Sequence, residues 1–315
     1  MKHKEAYKAF CNQSDHIPVF SQPWFLDIVC NDQWEVALVH EKDQLIGVWP
    51  YYESKKYGLK KIGMPPHTPF LGPIVLESSP TSNRYKRNSR HLKTLSDLEA
   101  QLPNFHYLSF KFNPDATSWY PFHKKGYSQN TRYTYVIPSG QTEPELKGNL
   151  KKQLRNVVCK QDHQERIESS TDVTGFLNMV RQTFEENEIT EFFNPDIMLR
   201  LISHSIERGQ GCIWDYKNKR GETIGAIYTI EDHQKAYLLY TTKNQEGMQQ
   251  EAVGCLIWHA IKDSVAKGKD FDFEGSMLPG VERFFRGFGG EQVPYHQITK
   301  INHPLLKILS NFFQW

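Results

Sequence analysis

Cysteine is scarce. The chain has five in 315 residues, an odd number scattered at Cys11, Cys30, Cys159, Cys212 and Cys255 and never in a Cys-x-x-Cys pair. That excludes a disulfide-stapled scaffold and a zinc ribbon or finger, and it predicts reduced thiols in the cytoplasm. Long apolar runs are missing as well: nothing approaches the roughly 18 apolar residues of a spanning helix. The lysine-bearing start, Met1 to Phe10, has no apolar run behind it, so neither a signal peptide nor stable membrane insertion is expected. No charge sign dominates. With 38 Lys+Arg against 36 Asp+Glu the formal charge is +2, and any nucleic-acid contact must come from a local patch. A Gly-x-Ser-x-Gly elbow is absent and the 13 histidines lack ligand spacing, which leaves hydrolase and metal readings without a motif; no metal is expected.

What is present is an internal repeat. Phe105 to Ile137 runs through alternating Phe110 and Phe112, Asn113-Pro114, Pro121-Phe122, two lysines, Gly126-Tyr127 and a strand-like Arg132 to Ile137. Lys269 to Ile301 runs through Phe271 and Phe273, Gly275-Ser276, Phe284-Phe285, Arg286, Gly289-Gly290 and Val293 to Ile298. Upstream, Trp34 to Tyr52 turns through Glu41-Lys42-Asp43 into Ile46-Gly47, and Cys212 to Ile230 turns through Asn218 to Gly221 into Ile224-Gly225. Two matches in one order point to one architecture used twice. Length agrees, because a single core usually stops growing at roughly 250 to 300 residues. The predicted division is a first domain at 1–137, a linker at 138–148 rich in Pro and Gly, and a second domain at 149–315.

Between these landmarks, Met64 to Pro73 carries four prolines and reads as a non-helical loop. Glu145 to Gln164 reads as one strongly charged helix. Gln249 to Lys267 has the clearest helical stripe, with Val253, Leu256, Ile257, Ala260, Ile261 and Val265 on one side and Gly268 as its stop. Phe271-Asp272-Phe273-Glu274 is a strand with phenylalanines on one face and carboxylates on the other. Leu305 to Trp315 carries a broad apolar face, for which docking on its own domain and contact with a membrane both stay open.

The order of elements, together with Phe271-Asp272-Phe273-Glu274-Gly275-Ser276 and Glu282-Arg283-Phe284-Phe285-Arg286-Gly287-Phe288-Gly289, resembles the GNAT N-acyltransferases. More closely it is similar to the tandem branch with the Fem aminoacyl transferases and acetyltransferases of polysaccharide biosynthesis. Phe20-Ser21-Gln22-Pro23-Trp24, the loop Pro66 to Gly72 and the basic stretch Leu150 to Cys159 are similar to that branch too. The resemblance implies an α/β (α+β) fold of two tandem GNAT-like domains, each a mixed sheet flanked by helices. It implies transfer of an acyl or aminoacyl group to an amine of a cell-envelope or polysaccharide precursor, a glycan or peptide acceptor, and a donor lying where two strands splay apart. The alternative is a non-catalytic degenerate pair that binds a glycan precursor or partner. Two departures bear on the donor. Asn244 to Ala252 does not carry the GNAT pyrophosphate loop, so acyl-CoA is a possible donor without its usual grip. The Fem motif's lysine falls on Phe285, and the long Fem helical insertion has no counterpart, so aminoacyl-tRNA ranks below acyl-CoA.

Acyl transfer needs a neutral amine, an oxyanion donor and a proton acceptor. Glu274, at a strand's C-terminal end where α/β ligands lie, is the candidate catalytic residue, as proton acceptor or acceptor-orienting group. The competing reading ties it to Arg283 or Arg286. Those two arginines can grip a phosphate or carboxylate, or form a solvated face. Ser276, Tyr240 and Thr242 are expected along the cleft, with His67 reaching in from the proline loop. Lys151, Lys152 and Arg155 are candidates for an acceptor or tRNA phosphate, against the plainer reading of a wet charged face.

Overall fold

The structure, a computed structural model, describes all residues except 1, 15, 77–82, 187, 189–193, 305 and 308–315. The apolar stripe from Leu305 to Trp315, apart from residues 306 and 307, lies outside the described residues. Two compact units emerge: residues 1–132 with 294–315, and residues 133–293. In chain order the strands are β1 (Trp34–Glu41), β2 (Gln44–Lys56), β3 (Leu59–Gly63), β4 (Ile74–Val75), β5 (Tyr107–Lys111), β6 (Ser128–Ile137), β7 (Ile167–Ser170), β8 (Gly211–Lys217), β9 (Thr223–Glu231), β10 (Lys235–Lys243), β11 (Asp270–Asp272) and β12 (Glu291–Ile301).

In the first unit β1, β2 and β3 run antiparallel in succession, β3 pairs parallel with β5, and β5 pairs antiparallel with β12. In the second, β7, β8, β9 and β10 are successively antiparallel, β10 pairs parallel with β11, and β11 pairs antiparallel with β6. Starting from β1 and from β8, the sequence of directions is the same. The matched glycines explain part of the match. A Cβ on Gly47 would lie 2.5 Å from Thr94 of the helix Arg84–Ala100, and one on Gly225 would lie 2.9 Å from Ala252 of the helix Ala252–Ala266. Each glycine lets a core helix lie close on the second strand of its sheet. The aromatic pieces match as well: Trp49, Phe110, Phe112 and Phe122 meet edge to face in the first unit, and Phe271, Phe273, Phe285 and Phe288 cluster in the second.

One feature of the pairing departs from chain order. The repeats place β6 after β5 and β12 after β11, yet the last strand closes the first unit, from Gln297 opposite Lys111 to Ile301 opposite Tyr107. The second is closed by β6, with Phe271 opposite Ile137 and Asp272 opposite Val136. The two closing strands are thus exchanged relative to the repeats. A fragment of residues 1–137 would leave the β5 edge without its partner, and edge strands with bare N–H and C=O groups are prone to aggregate. Such a fragment is expected to show no cooperative urea transition, and cooperative unfolding of it would contradict the exchange.

The charged helix expected from Glu145 to Gln164 is instead three short ones, Glu143–Asn149, Lys152–Val158 and Gln161–Gln164. The physical reason is Leu150: it is extended (φ −64°, ψ 139°) and buried, and the next amide, Lys151 N–H, donates to Gly287 O at 2.8 Å. Burial of one leucine and a tertiary hydrogen bond outweigh continued helix. The first of these helices begins inside the stretch expected as linker, where Thr142 N–H donates to Glu145 Oε2 at 2.7 Å in a capping box. The helix Arg84–Ala100 starts where Asn83 caps it by accepting from the amides of Tyr85 and Lys86.

In the first unit the proline loop occupies the place beside β5 beyond the end of β3. Leu71 N–H donates to Lys111 O at 2.8 Å, Lys111 N–H donates to Met64 Sδ at 3.4 Å, and a Cβ on Gly72 would lie 2.5 Å from the Phe112 ring. His67 in that loop is left-handed (φ 56°), and burial pushes its imidazole down from 6.5 to about 4. The unfolded chain therefore binds more protons than the folded one between those values. Stability is fully present above pH 6.5 and is lost as pH falls toward 4, by about 2 to 3 kcal/mol from His67. His67→Asn, which tolerates left-handed backbone, is expected to flatten that acid limb in urea titrations made above and inside the window. An unchanged limb would mean that His296, shifted downward by burial in the same unit, carries the dependence.

Candidate functional site

In the second unit, β10 and β11 pair only at Lys235–Asp270, Ala236–Phe271 and Tyr237–Asp272. β10 then continues along β9 to Lys243, while β11 stops at Asp272. The two parallel strands part at this point. A bulge in β10 between Leu238 and Tyr240 leaves Leu239 as the extra residue and flips the alternation. Ala236 and Leu238 consequently lie in the core with the helix Ala252–Ala266. Tyr240 stacks on Tyr228 (6.2 Å between centroids, 19° between planes), and Thr242 Oγ1 lies 2.8 Å from Thr183 Oγ1 of the helix Val173–Glu186.

The chain after β11 makes a tight, polar turn. Asp272 is fully buried; its Oδ1 accepts from Thr134 Oγ1 at 2.6 Å and from the Glu274 amide at 2.8 Å. Glu274 is left-handed (φ 59°), as is Gly275 (φ 73°). For a non-glycine residue that conformation costs roughly 1 kcal/mol or more, the kind of strain that gathers at functional sites. Burial raises the phenol pKa of Tyr240, and the Glu274 carboxylate raises it further. Burial also raises Tyr228, against the pull of Ser205, which shares a 2.7 Å hydrogen bond with its hydroxyl, while Glu274 pushes the same way as burial. Glu274 thus faces two tyrosines that keep their protons at neutral pH.

Downstream, Ser276 Oγ accepts from Leu278 N–H at 3.2 Å before the helix Pro279–Arg286. Arg286 Nε lies 3.0 Å from Glu282 Oε1, and the same oxygen accepts from Tyr135 Oη at 2.6 Å. Arg286 is thereby held on its own helix by Glu282, and Arg283 is exposed. Phe285, at the position of the Fem lysine, packs on Phe273 at 4.9 Å. Of the other predicted residues, Lys151 meets this region through its backbone bond to Gly287, Arg155 Nη1 donates to Lys147 O at 3.4 Å, and His67 belongs to the first unit. Sequence reasoning missed Asp272 as the clamp, its partner Thr134, and Tyr228, Thr183 and Ser205 behind Tyr240. The available signal was Asp272 itself, a carboxylate between two buried phenylalanines.

The segment after β10 is a short helix, Gln245–Gln249, capped by Asn244 Oδ1, which accepts from Gly247 N–H at 2.8 Å. Met248, Gln250 and Glu251 amides donate to Asn244 O, Glu246 O and Met248 O. These amides are engaged within the segment itself.

Residues 146–286 match the family described as acetyltransferase (GNAT) domain. Among solved structures, FemX covers 97% of this chain and 98% of its own at 12% identity, with a TM-score of 0.69. The C-terminal domain of a lysylphosphatidylglycerol synthetase from Agrobacterium fabrum covers 99% and 95% at 10% identity, TM-score 0.61. L-PGS from Bacillus licheniformis covers 98% and 96% at 12% identity, TM-score 0.54. This chain has the Fem-like GNAT fold. Full-length coverage of the tandem FemX-like architecture fits two GNAT-like units with mixed sheets and flanking helices. No curated protein matches the sequence. Among the described residues no helix of this GNAT-like chain is long and apolar enough to cross a membrane, and no group of three or more His, Cys, Asp or Glu could hold a metal ion.

Proposed function

We propose that the second unit of this GNAT-fold chain transfers an acyl group to an amine of a cell-envelope precursor, with acyl-CoA as donor. The observation that carries this is the parting of β10 and β11 beyond Tyr237 and Asp272, with Glu274 at the opening. In this reading the amine nitrogen attacks the acyl carbonyl carbon as the carbonyl electrons move to oxygen. Glu274 accepts the amine proton. Collapse of the tetrahedral adduct breaks the bond to the leaving thiolate, and Tyr240, which keeps its proton, is the candidate to supply it. Ser276 and Thr242 line the opening, and Arg283, an exposed cation, is the candidate contact for an acceptor phosphate, with Lys151 and Arg155 further along. The cell-envelope acceptor rests on the Fem-like fold and on one neighbour whose name joins a lysyl group to a phospholipid.

A second reading, with aminoacyl-tRNA as donor, is favoured by one observation: the amides of residues 247, 248, 250 and 251, where GNAT enzymes hold coenzyme A phosphates, are already engaged. Thermal shift separates the donors. A ligand of the folded state adds RT ln(1 + [L]/Kd), about 2.7 kcal/mol at roughly a hundred times Kd. A shift with acetyl-CoA or a longer acyl-CoA alone supports the first reading. A shift with aminoacyl-tRNA that falls steeply with salt puts the second ahead. Silence from both, with binding of a glycan precursor, removes the transferase and leaves a binding protein.

A further inference from the structure

The surface beside the turn changes character. Met277, Leu278 and Val281 are 51%, 66% and 36% exposed, three large apolar side chains within five residues, directly after Glu274-Gly275-Ser276. The helix they open, Pro279–Arg286, turns its aromatic face inward, Phe284 and Phe285 packing toward Phe273 and Phe288, and carries exposed Arg283 and Arg286 on the other side. At that helix's far end the Lys151 amide bonds Gly287 O, so exposed Lys151 and Lys152 adjoin it. Glu282 is the one acid of the helix, and it is bound by Tyr135 and Arg286.

We propose that this face docks the second unit on an anionic lipid bilayer, with Met277 and Leu278 entering the headgroup region and Arg283, Lys151 and Lys152 meeting lipid phosphates. Exposed apolar side chains next to cations gain twice at such a surface, from apolar burial at the headgroup boundary and from attraction to anionic lipid. On this face Arg283, Lys151 and Lys152 outnumber the one acid of the helix, Glu282, which Arg286 offsets, while the whole chain carries only +2, so the attraction is local to it. A nucleic acid fits less well. Its backbone would use the cations, but single strands stack on aromatic platforms, and the exposed apolar side chains here are methionine, leucine and valine. Docking is independent of the transferase reading, since it needs neither donor nor turnover.

The test is cosedimentation of the full chain with vesicles of phosphatidylcholine alone and of phosphatidylcholine mixed with phosphatidylglycerol. Binding is expected to the mixed vesicles. The Met277→Ser/Leu278→Ser pair should weaken it about tenfold, by loss of apolar transfer. Arg283→Ser should weaken it roughly fivefold and reduce its salt dependence. Both side chains of the double variant are exposed, and an unchanged thermal midpoint verifies its fold. No binding to mixed vesicles overturns the proposal. So does binding that survives the double replacement unchanged, because another part of the chain then carries it. Binding of uncharged tRNA that Arg283→Ser weakens, without vesicle binding, assigns the face to nucleic acid instead.

Discussion

Gly275→Ala is expected to destabilise the second unit by about 3 kcal/mol or more, among the larger effects a single methyl can have. The added Cβ would lie 2.2 Å from Tyr133 O and 3.0 Å from Thr134 Cα, and these are backbone atoms that no side-chain rotation can clear. A φ of 73° adds the left-handed penalty. β6 would have to move, taking with it the Thr134 hydroxyl that Asp272 accepts from. Gly280→Ala is the control, since nothing lies within 4 Å of its Cβ. Chemical denaturation of the two variants checks this: the control should unfold with the parent, and coincident curves for Gly275→Ala would mean that the turn is not packed on β6 as described.

Glu274→Gln should lower turnover about a hundredfold to ten-thousandfold, the usual worth of a positioned proton acceptor. The donor to use is the one giving the larger thermal shift, with an amine acceptor. The amide keeps the shape of the carboxylate and the left-handed turn, so stability should hardly change. The neighbouring phenols offer an independent readout. The Glu274 charge raises both Tyr240 and Tyr228, hence its removal should bring their ionisation to lower pH in ultraviolet titration. Unchanged turnover with shifted phenols would leave Glu274 as an electrostatic neighbour and nothing more.

Much of the fold is legible in the sequence. The Val253 to Val265 stripe, the Phe271/Phe273 alternation and the paired Ile-Gly steps at 46–47 and 224–225 are period and spacing signals, which survive in a linear sequence. The exchange of β6 and β12 was not legible, because the two strands read alike in a linear sequence and only tertiary pairing tells them apart. The break at Leu150 was hidden for a related reason: a leucine among lysines fits a charged helix, and the bond that Lys151 makes beyond it is to Gly287, more than 130 residues away. Glu274 could be singled out as a carboxylate at a strand end. Its left-handed backbone could not, since nothing in the residue type announces it. Asp272 shared the carboxylate face on paper, but it is a fully buried clamp whose partner Thr134 lies in the other copy of the repeat.

The central claim is that the donor enters between β10 and β11 of the second unit, and that the Pro66 to Gly72 loop has closed the equivalent place in the first. Amide hydrogen exchange with and without saturating donor measures this directly. The account predicts donor-dependent protection in peptides covering residues 238–242 and 273–276, with exchange at 59–72 and 107–112 unaltered. Protection at 59–72 and 107–112 with none at 238–242 would contradict it and move the site to the first unit.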